Sequence, residues 1–299
     1  MKLKELTLRD KALFRKFLTL SRHELAVYAF ENIYIWKALF EIRWEIIDES
    51  LCIFFQDKAG CFLYLPPLGK IISPGVIGGV FRIMDSFNLN KNVSRIENIE
   101  KRDLAFYERL GLKLVYKSCD YLSRRRELAQ LEGNRFKSKR ASFNYFIKHY
   151  SFEYLPFTVK YRRDCRQLYE LWMQQRAGMA SDVVYQGMLK DSRACLELLL
   201  RDYQRLGVTG RIVKVGNRLE AFTFGFPLNP ETFCILYETA DLKIRGLAQF
   251  IFRHFCAELK DYRYINVMDD SGLENLKRVK LSYRPLRLIP SYIAVRDNA

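Results

Sequence analysis

An α+β (mixed α/β) fold in two tandem lobes joined by a basic helix is what this sequence predicts, and three observations predict it. The 299 residues, 49% of them hydrophobic, are more than one compact domain usually holds. One order of elements, antiparallel strands followed by helix, strand and helix, reads twice along the chain. Between the two runs, basic residues recur at helical spacing. The expected layout is an N-terminal lobe over 1–122, a basic linker-helix region over 123–152 and a C-terminal lobe over 153–299. Each lobe is expected to be a mostly antiparallel, twisted sheet flanked by helices.

In the first lobe, residues 9–31 suggest helices. β-rich segments follow at Phe40–Ile47, Leu51–Gln56 and Cys61–Leu65, parted by the turns Asp48-Glu49-Ser50 and Lys58-Ala59-Gly60, which makes a meander. The breaks at Pro66-Pro67-Leu68-Gly69 and Ser73-Pro74-Gly75 lead into an apolar helix near Val76–Phe87. A strand near Val93–Ile99 comes next, then a helix over Lys101–Leu110 that Gly111 ends. The second lobe opens with helices near Asp164–Arg176 and Gly187–Leu206. Strands near Gly210–Val215 and Arg218–Phe226 flank a Gly216-Asn217 turn, and a third lies near Thr232–Glu238. A loop, a helix over Leu247–Leu259, a strand over Tyr264–Met268 and a final β segment complete it. No residue-level repeat links the halves, so the duplication rests on element order.

The linker carries much of the charge. Of a formal net charge of +16, an excess of six lies between Tyr121 and Tyr150, where eight basic residues face Glu127 and Glu132. Phe136, Phe143, Phe146, Ile147 and Tyr150 fall on one side of a helix, and Lys137, Arg140, Asn144 and Lys148 on another. A helix docked by one face presents either an ordinary solvated surface or an anion-facing one; the richness in Arg, suited to bidentate phosphate contacts, favours the second. Arg135, Lys137, Lys139, Arg140, Asn144 and Lys148 are the candidate polyanion-binding residues. A charge of this size favours polyanions, anionic membrane surfaces and phosphate-bearing substrates.

Other totals exclude whole classes. The most apolar early stretch, Ala26–Trp44, is interrupted by Glu31, Lys37, Glu41 and Arg43, so nothing is expected to span a bilayer. The N-terminus alternates charged with apolar residues and lacks the apolar run of a secretory signal. Seven cysteines (52, 61, 119, 165, 195, 234 and 256) have no paired spacing, which suits reduced thiols in a cytoplasmic protein. His23, His149 and His254 have no ligand spacing, so no metal is expected. Cys234 lacks a histidine partner and reads as a buried thiol.

Two local signals bear on chemistry. After the strand ending at Glu238, the loop Lys243-Ile244-Arg245-Gly246-Leu247-Ala248 opens a helix, and its small residues let backbone amides approach a phosphate or carbonyl. It resembles the pyrophosphate loop of the GNAT acyltransferases, with Lys243 where that family has Arg or Gln; otherwise it is a helix start whose glycine permits the turn. Ala105-Phe106-Tyr107-Glu108-Arg109-Leu110-Gly111-Leu112 resembles a late segment of many GNAT domains, or is an amphipathic helix with a glycine cap.

Longer signatures agree. Tyr121-Leu122, Leu131-Glu132-Gly133 and Lys139-Arg140 with Asn144 and Phe146 resemble the middle of the phosphatidylglycerol lysyltransferase C-terminal-like family. Asn266, Asp269, Asp270, Gly272, Leu273, Lys277, Arg278, Lys280, Ser282, Tyr283 and Pro285 resemble its end. The resemblance implies tandem GNAT-like lobes and passage of an aminoacyl or acyl group to a hydroxyl or amine. No cofactor is assigned; the implied donor is aminoacyl-tRNA, with acyl-CoA as the alternative, and a non-catalytic module for RNA or an anionic surface as a third. The basic helix then holds tRNA or another phosphate-bearing ligand, and peripheral contact with an anionic membrane is open to it.

Acyl transfer needs a positioned nucleophile, a proton acceptor and donors to the oxyanion. Glu238 is the candidate base or ammonium binder. Asp269 and Asp270 are candidates for a cationic amine, or else cap a helix or pair on the surface. Tyr283 is a candidate proton donor and Lys280 a candidate phosphate ligand, unless the phenol packs and the lysine snorkels. Lys243, Arg245, Gly246, Leu247 and Ala248 make up the candidate donor loop. In the first lobe, Leu68-Gly69-Lys70 to Gly79 only loosely resembles a phosphate loop, so that lobe is expected to be structural or acceptor-binding.

Overall fold

A computed structural model describes residues 3–177 and 183–296. They form two compact units: unit 1 takes those up to Asp120, Asp269–Leu273 and those from Leu288, and unit 2 takes Tyr121–Met268 and Glu274–Arg287. Through unit 1 the chain runs β1 (Lys4–Glu5), α1 (Lys11–Leu18), α2 (Phe30–Ile35), β2 (Glu41–Ile47), β3 (Ser50–Gln56), β4 (Cys61–Leu63), α3 (Pro74–Phe87), β5 (Arg95–Glu100), α4 (Leu104–Arg109) and most of β6 (Leu112–Arg124). Unit 2 holds the end of β6, α5 (Arg125–Gln130), α6 (Lys137–His149), β7 (Phe152–Pro156), α7 (Arg162–Ala177), α8 (Val183–Leu206), β8 (Thr209–Val215), β9 (Arg218–Asn229), β10 (Thr232–Ala240), α9 (Leu247–Glu258), β11 (Tyr264–Asn266) and α10 (Glu274–Leu281). The chain then returns to unit 1 as β12 (Arg287–Arg296).

Unit 1 orders its strands β1-β2-β3-β4-β5-β12-β6. The β2–β3 hairpin closes on Asp48 and Glu49, both left-handed with φ of 44° and 61°, the twist that a two-residue turn between right-twisted strands requires. At the next turn the Asp57 carboxylate accepts from the Ala59 and Gly60 amides. Pro at the first turn and a Ser73 cap start α3, whose Val76, Ile77, Val80, Phe81 and Met84 bury against Phe54, Leu63, Ile96 and Ile99. The parallel strand β5 then pairs with β4, and β12 pairs antiparallel with β5.

Unit 2 repeats the plan: the meander β8-β9-β10, then α9, then β11 parallel to β10. Its sheet reads β11-β10-β9-β8-β7, and the last residues of β6 pair antiparallel with β11. Phe143 and Phe146 of α6 and Phe250 and Ile251 of α9 cover one face, burying Val213, Ala221 and Ala240. The expected mixed fold with a mostly antiparallel sheet is what the chain forms. Two local readings differ. The basic stretch that spacing alone assigns to one helix contains the end of β6, the short α5 and α6, because Leu131 and Gly133 take φ of 55° and 81° and stop the first helix. Ile147, expected on the docked side of α6, is 45% exposed.

Candidate active site

The site begins where two strands part. β10 and β11 pair only from Thr232–Cys234 to Tyr264–Asn266, after which β10 runs on to Ala240 paired with β9. Buried Asn266 turns the other chain aside: its Oδ1 accepts from the Met268 amide at 2.7 Å, and Met268 adopts φ 61°. The Lys280 ammonium secures the turn by donating to the Val267 and Met268 carbonyls at 2.6 and 3.2 Å. On β10 a bulge between Ile235 and Tyr237 shifts the register, and the Thr223 hydroxyl donates to the Tyr237 carbonyl at 2.9 Å. The Tyr237 hydroxyl donates to the Ser192 carbonyl of α8 at 2.8 Å. Ala240 packs among α6 and α9, and Glu238, two residues before it, shares that face by alternation.

Glu238 sits at the strand parting, crowded by protein and open to solvent. Its side chain is exposed, yet crowding by protein pushes its carboxyl up to about 8, with Lys139 drawing it the other way. Because solvent still reaches it, that shift belongs to a crowded recess and not to a sealed core. Burial lowers the Lys139 ammonium and Glu238 raises it, the reciprocal of one interaction. Lys139 Nζ stands 4.4 Å from the centre of the Tyr283 ring, whose far neighbour is Phe252 at 4.6 Å. Burial first, then the Glu238 charge, holds the Tyr283 phenol well above its ordinary range, so it stays a hydrogen-bond donor at neutral pH. The arrangement sets a carboxyl able to exchange a proton near neutrality beside a cation and a phenol.

The structure thus brings Glu238, Lys139 and Tyr283 together from β10, α6 and the turn after α10. Sequence reasoning placed Lys139 on the polyanion face; it lies one turn before buried Phe143, and the packing of α6 brings it to Glu238. Arg140 also turns back, donating to the Leu131 and Gly133 carbonyls and closing the turn before α6. Arg135 pairs with Glu127 at 2.9 Å. Lys137, Asn144 and Lys148 point to solvent. Asp269 and Asp270 are part of unit 1, where Asp270 Oδ1 accepts from Gly272 N at 3.0 Å in a turn of their own. Lys280 spends two donors on backbone carbonyls.

The loop from Lys243 to Ala248 packs on α6. Gly246 has φ 84°, and a Cβ there would strike the Ser142 carbonyl and approach Phe146. The glycine therefore serves close approach of loop to helix as well as the turn into α9. Before it, the Asp241 carboxylate accepts from Lys243 N and Gln175 Nε2, and Gln175 Oε1 accepts from Leu242 N. Lys243 and Arg245 remain exposed, Leu247 is buried with its amide donating to the Ile244 carbonyl at 3.2 Å, and Ala248 lies in the first turn of α9.

The matching place in unit 1 is filled. Past the Leu63–Ile96 pair, Asn98 takes φ 59°, and its Nδ2 donates to the Tyr64 carbonyl at 2.8 Å. The Tyr28 hydroxyl donates to the Asn98 carbonyl at 2.8 Å, and His23 stacks on Tyr28 at 3.9 Å. Glu100 joins His23 Nδ1 at 3.0 Å, Glu24 N at 2.9 Å and Arg102 Nη2 at 2.6 Å. These groups satisfy one another where unit 2 keeps a recess.

Comparison with known proteins follows the geometry. The family model for phosphatidylglycerol lysyltransferase, C-terminal, matches residues 19–295. A conserved protein of unknown function from Bacteroides thetaiotaomicron VPI-5482 is 27% identical over 99% of this chain and 100% of its own, with a TM-score of 0.88. L-PGS from Bacillus licheniformis superposes with a TM-score of 0.66 at 17% identity, over 97% of this chain and 93% of its own. A tandem GNAT protein from the clavulanic acid biosynthesis pathway does so with a TM-score of 0.53 at 9% identity, over 100% and 99%. The last two likenesses are of fold, a tandem GNAT arrangement. No curated protein matches the sequence. Among the described residues no helix is long and apolar enough to cross a membrane.

Proposed function

The chain belongs to the phosphatidylglycerol lysyltransferase C-terminal family, and from that membership we propose that it moves an aminoacyl group from aminoacyl-tRNA to a hydroxyl or amine acceptor, with the reaction in unit 2. The observation that carries the reading is Glu238 in its recess, beside Lys139 and Tyr283, where β10 leaves β11. Glu238 takes the proton of the acceptor as its oxygen or nitrogen attacks the ester carbonyl. The carbon–oxygen bond to the ribose then breaks, and Tyr283 returns a proton to the leaving oxygen. Lys139 and the first amides of α9 oppose the negative charge on the carbonyl oxygen. Lys280 holds the turn that opens the site.

The net charge of +16 supports a polyanionic donor and allows contact with an anionic membrane surface, and seven free cysteines fit a cytoplasmic setting. The loop Lys243–Ala248 at the start of α9 favours a second reading, in which acyl-CoA is the donor. Single-turnover transfer from charged tRNA and from acetyl-CoA, in wild type and Glu238→Gln, tests both. Transfer from charged tRNA that the substitution removes supports the first reading, and transfer from acetyl-CoA alone supports the second. Binding of tRNA without transfer to hydroxyl or amine acceptors would sink both and leave a non-catalytic RNA-binding module.

A further inference from the structure

Beside the recess, α6 and the donor loop build a second feature that the transfer chemistry leaves unused. Locked together at Gly246 and Ser142, they stack three side chains in a row. The Arg245 guanidinium lies 4.3 Å from the centre of the Tyr145 ring. The His149 ring stacks on Tyr145 at 4.0 Å and 18°, and its Nδ1 donates to the Tyr145 carbonyl at 2.8 Å, which fixes its plane. Arg245 and His149 are exposed, as are Asn144 and Lys148 beside them on α6 and Lys243 on the loop. An ordered, solvent-facing stack of guanidinium, phenol and imidazole has no packing purpose, since its outer members bury little. It matches what single-stranded bases select: flat aromatic or guanidinium faces with cations alongside for phosphate.

We propose that Arg245, Tyr145 and His149 form a platform for the terminal adenine nucleotide of the donor, the base extending the stack on His149 while Lys148 and Lys243 meet its phosphates. The inference rests on the transferase reading, since both proposed donors, tRNA with its unpaired 3′ end and coenzyme A, carry an adenine nucleotide there. The probes are a labelled RNA microhelix with an unpaired 3′ adenosine, its blunt-ended counterpart, coenzyme A and pantetheine, with binding followed by anisotropy or calorimetry. If tRNA is the source, the overhang binds more tightly than the blunt form. His149→Ala then erases that advantage, about ten-fold, the loss of one base stack, and His149→Phe keeps it. If coenzyme A is the source, it outbinds pantetheine and His149→Ala removes the difference. Lys148→Ala lowers the salt dependence of RNA binding by about one counterion, whereas His149→Ala leaves it unchanged. The platform is overturned if His149→Ala and Arg245→Ala bind every probe as wild type does, or if overhang equals blunt and coenzyme A equals pantetheine. A platform that behaves as expected alongside unchanged turnover in Glu238→Gln would instead refute the assignment of the recess.

Discussion

Glu238 shows how one residue acquires a role from its surroundings. A glutamate ordinarily titrates near 4.5, and the recess lifts this one to about 8. As a base it works only when ionised, so transfer is expected to rise with pH through about 8, and Glu238→Gln to flatten the profile. The same shift has a stability sign. The folded state holds this proton to higher pH than the unfolded chain, so its contribution is complete below about 4.5 and lost as pH rises through about 8. Urea unfolding at about pH 5 and about pH 9 should show Glu238→Gln gaining on wild type at the higher value; equal differences at both would contradict the lifted carboxyl. Lys139→Met removes the one opposing charge and should carry the rising limb further up. Glu238 was legible in the sequence as a strand-end carboxylate before a loop and helix. The inward turn of Lys139 was not, because spacing along α6 does not say which flank of the aromatic stripe meets β10.

At the scale of elements, the recess exists because the chain past β11 is turned away from β10 and α9 is held against α6. Lys280 performs the first task, and a charged donor with two backbone acceptors is worth about 2 kcal/mol. Lys280→Met should lower unfolding stability by about that amount in chemical denaturation, while a methionine packed along the same path preserves the apolar contacts; no loss would mean the clamp is idle. Gly246 performs the second. Gly246→Ala sets a Cβ against the Ser142 carbonyl at a left-handed φ of 84°, and a cost of about 2–3 kcal/mol is expected from backbone strain and displaced packing. Thermal melts read that cost directly. The loop was legible as a glycine-dependent helix start, and the partner that demands the glycine belongs to α6, about a hundred residues earlier, beyond any local pattern.

At the scale of the molecule, the two units share a plan and differ in what fills it. Unit 1 closes its strand parting with Asn98, Tyr28, His23 and Glu100, and this supports a structural role for it. Asn98→Ala removes the Nδ2 bond to the Tyr64 carbonyl and the Oδ1 acceptor of Lys117, and should cost about 1–3 kcal/mol in unfolding stability. Donor binding measured on the folded variant should match wild type, and a large loss of affinity would assign unit 1 a direct part. The excess of positive charge makes its own prediction: binding of tRNA should weaken linearly in log–log against salt, and a flat dependence would remove phosphate contact from the reading.

Composition and alternation along the chain determined the mixed fold, the repeated order of elements, the exclusion of an apolar span and the concentration of charge on and just before α6, since each depends on residues near one another in sequence. β6 escaped notice because Lys113, Lys117 and the run of arginines after Tyr121 masked its two-residue period, and its pairing with β11 is a contact over more than a hundred residues. The tertiary structure decided which charges face inward: Lys139 toward Glu238, Arg140 onto its own turn, Lys280 onto the carbonyls past β11. A side chain's spacing fixes its angle around a helix, but only the packing of that helix on a sheet decides whether the angle leads to water, to backbone or to a carboxylate.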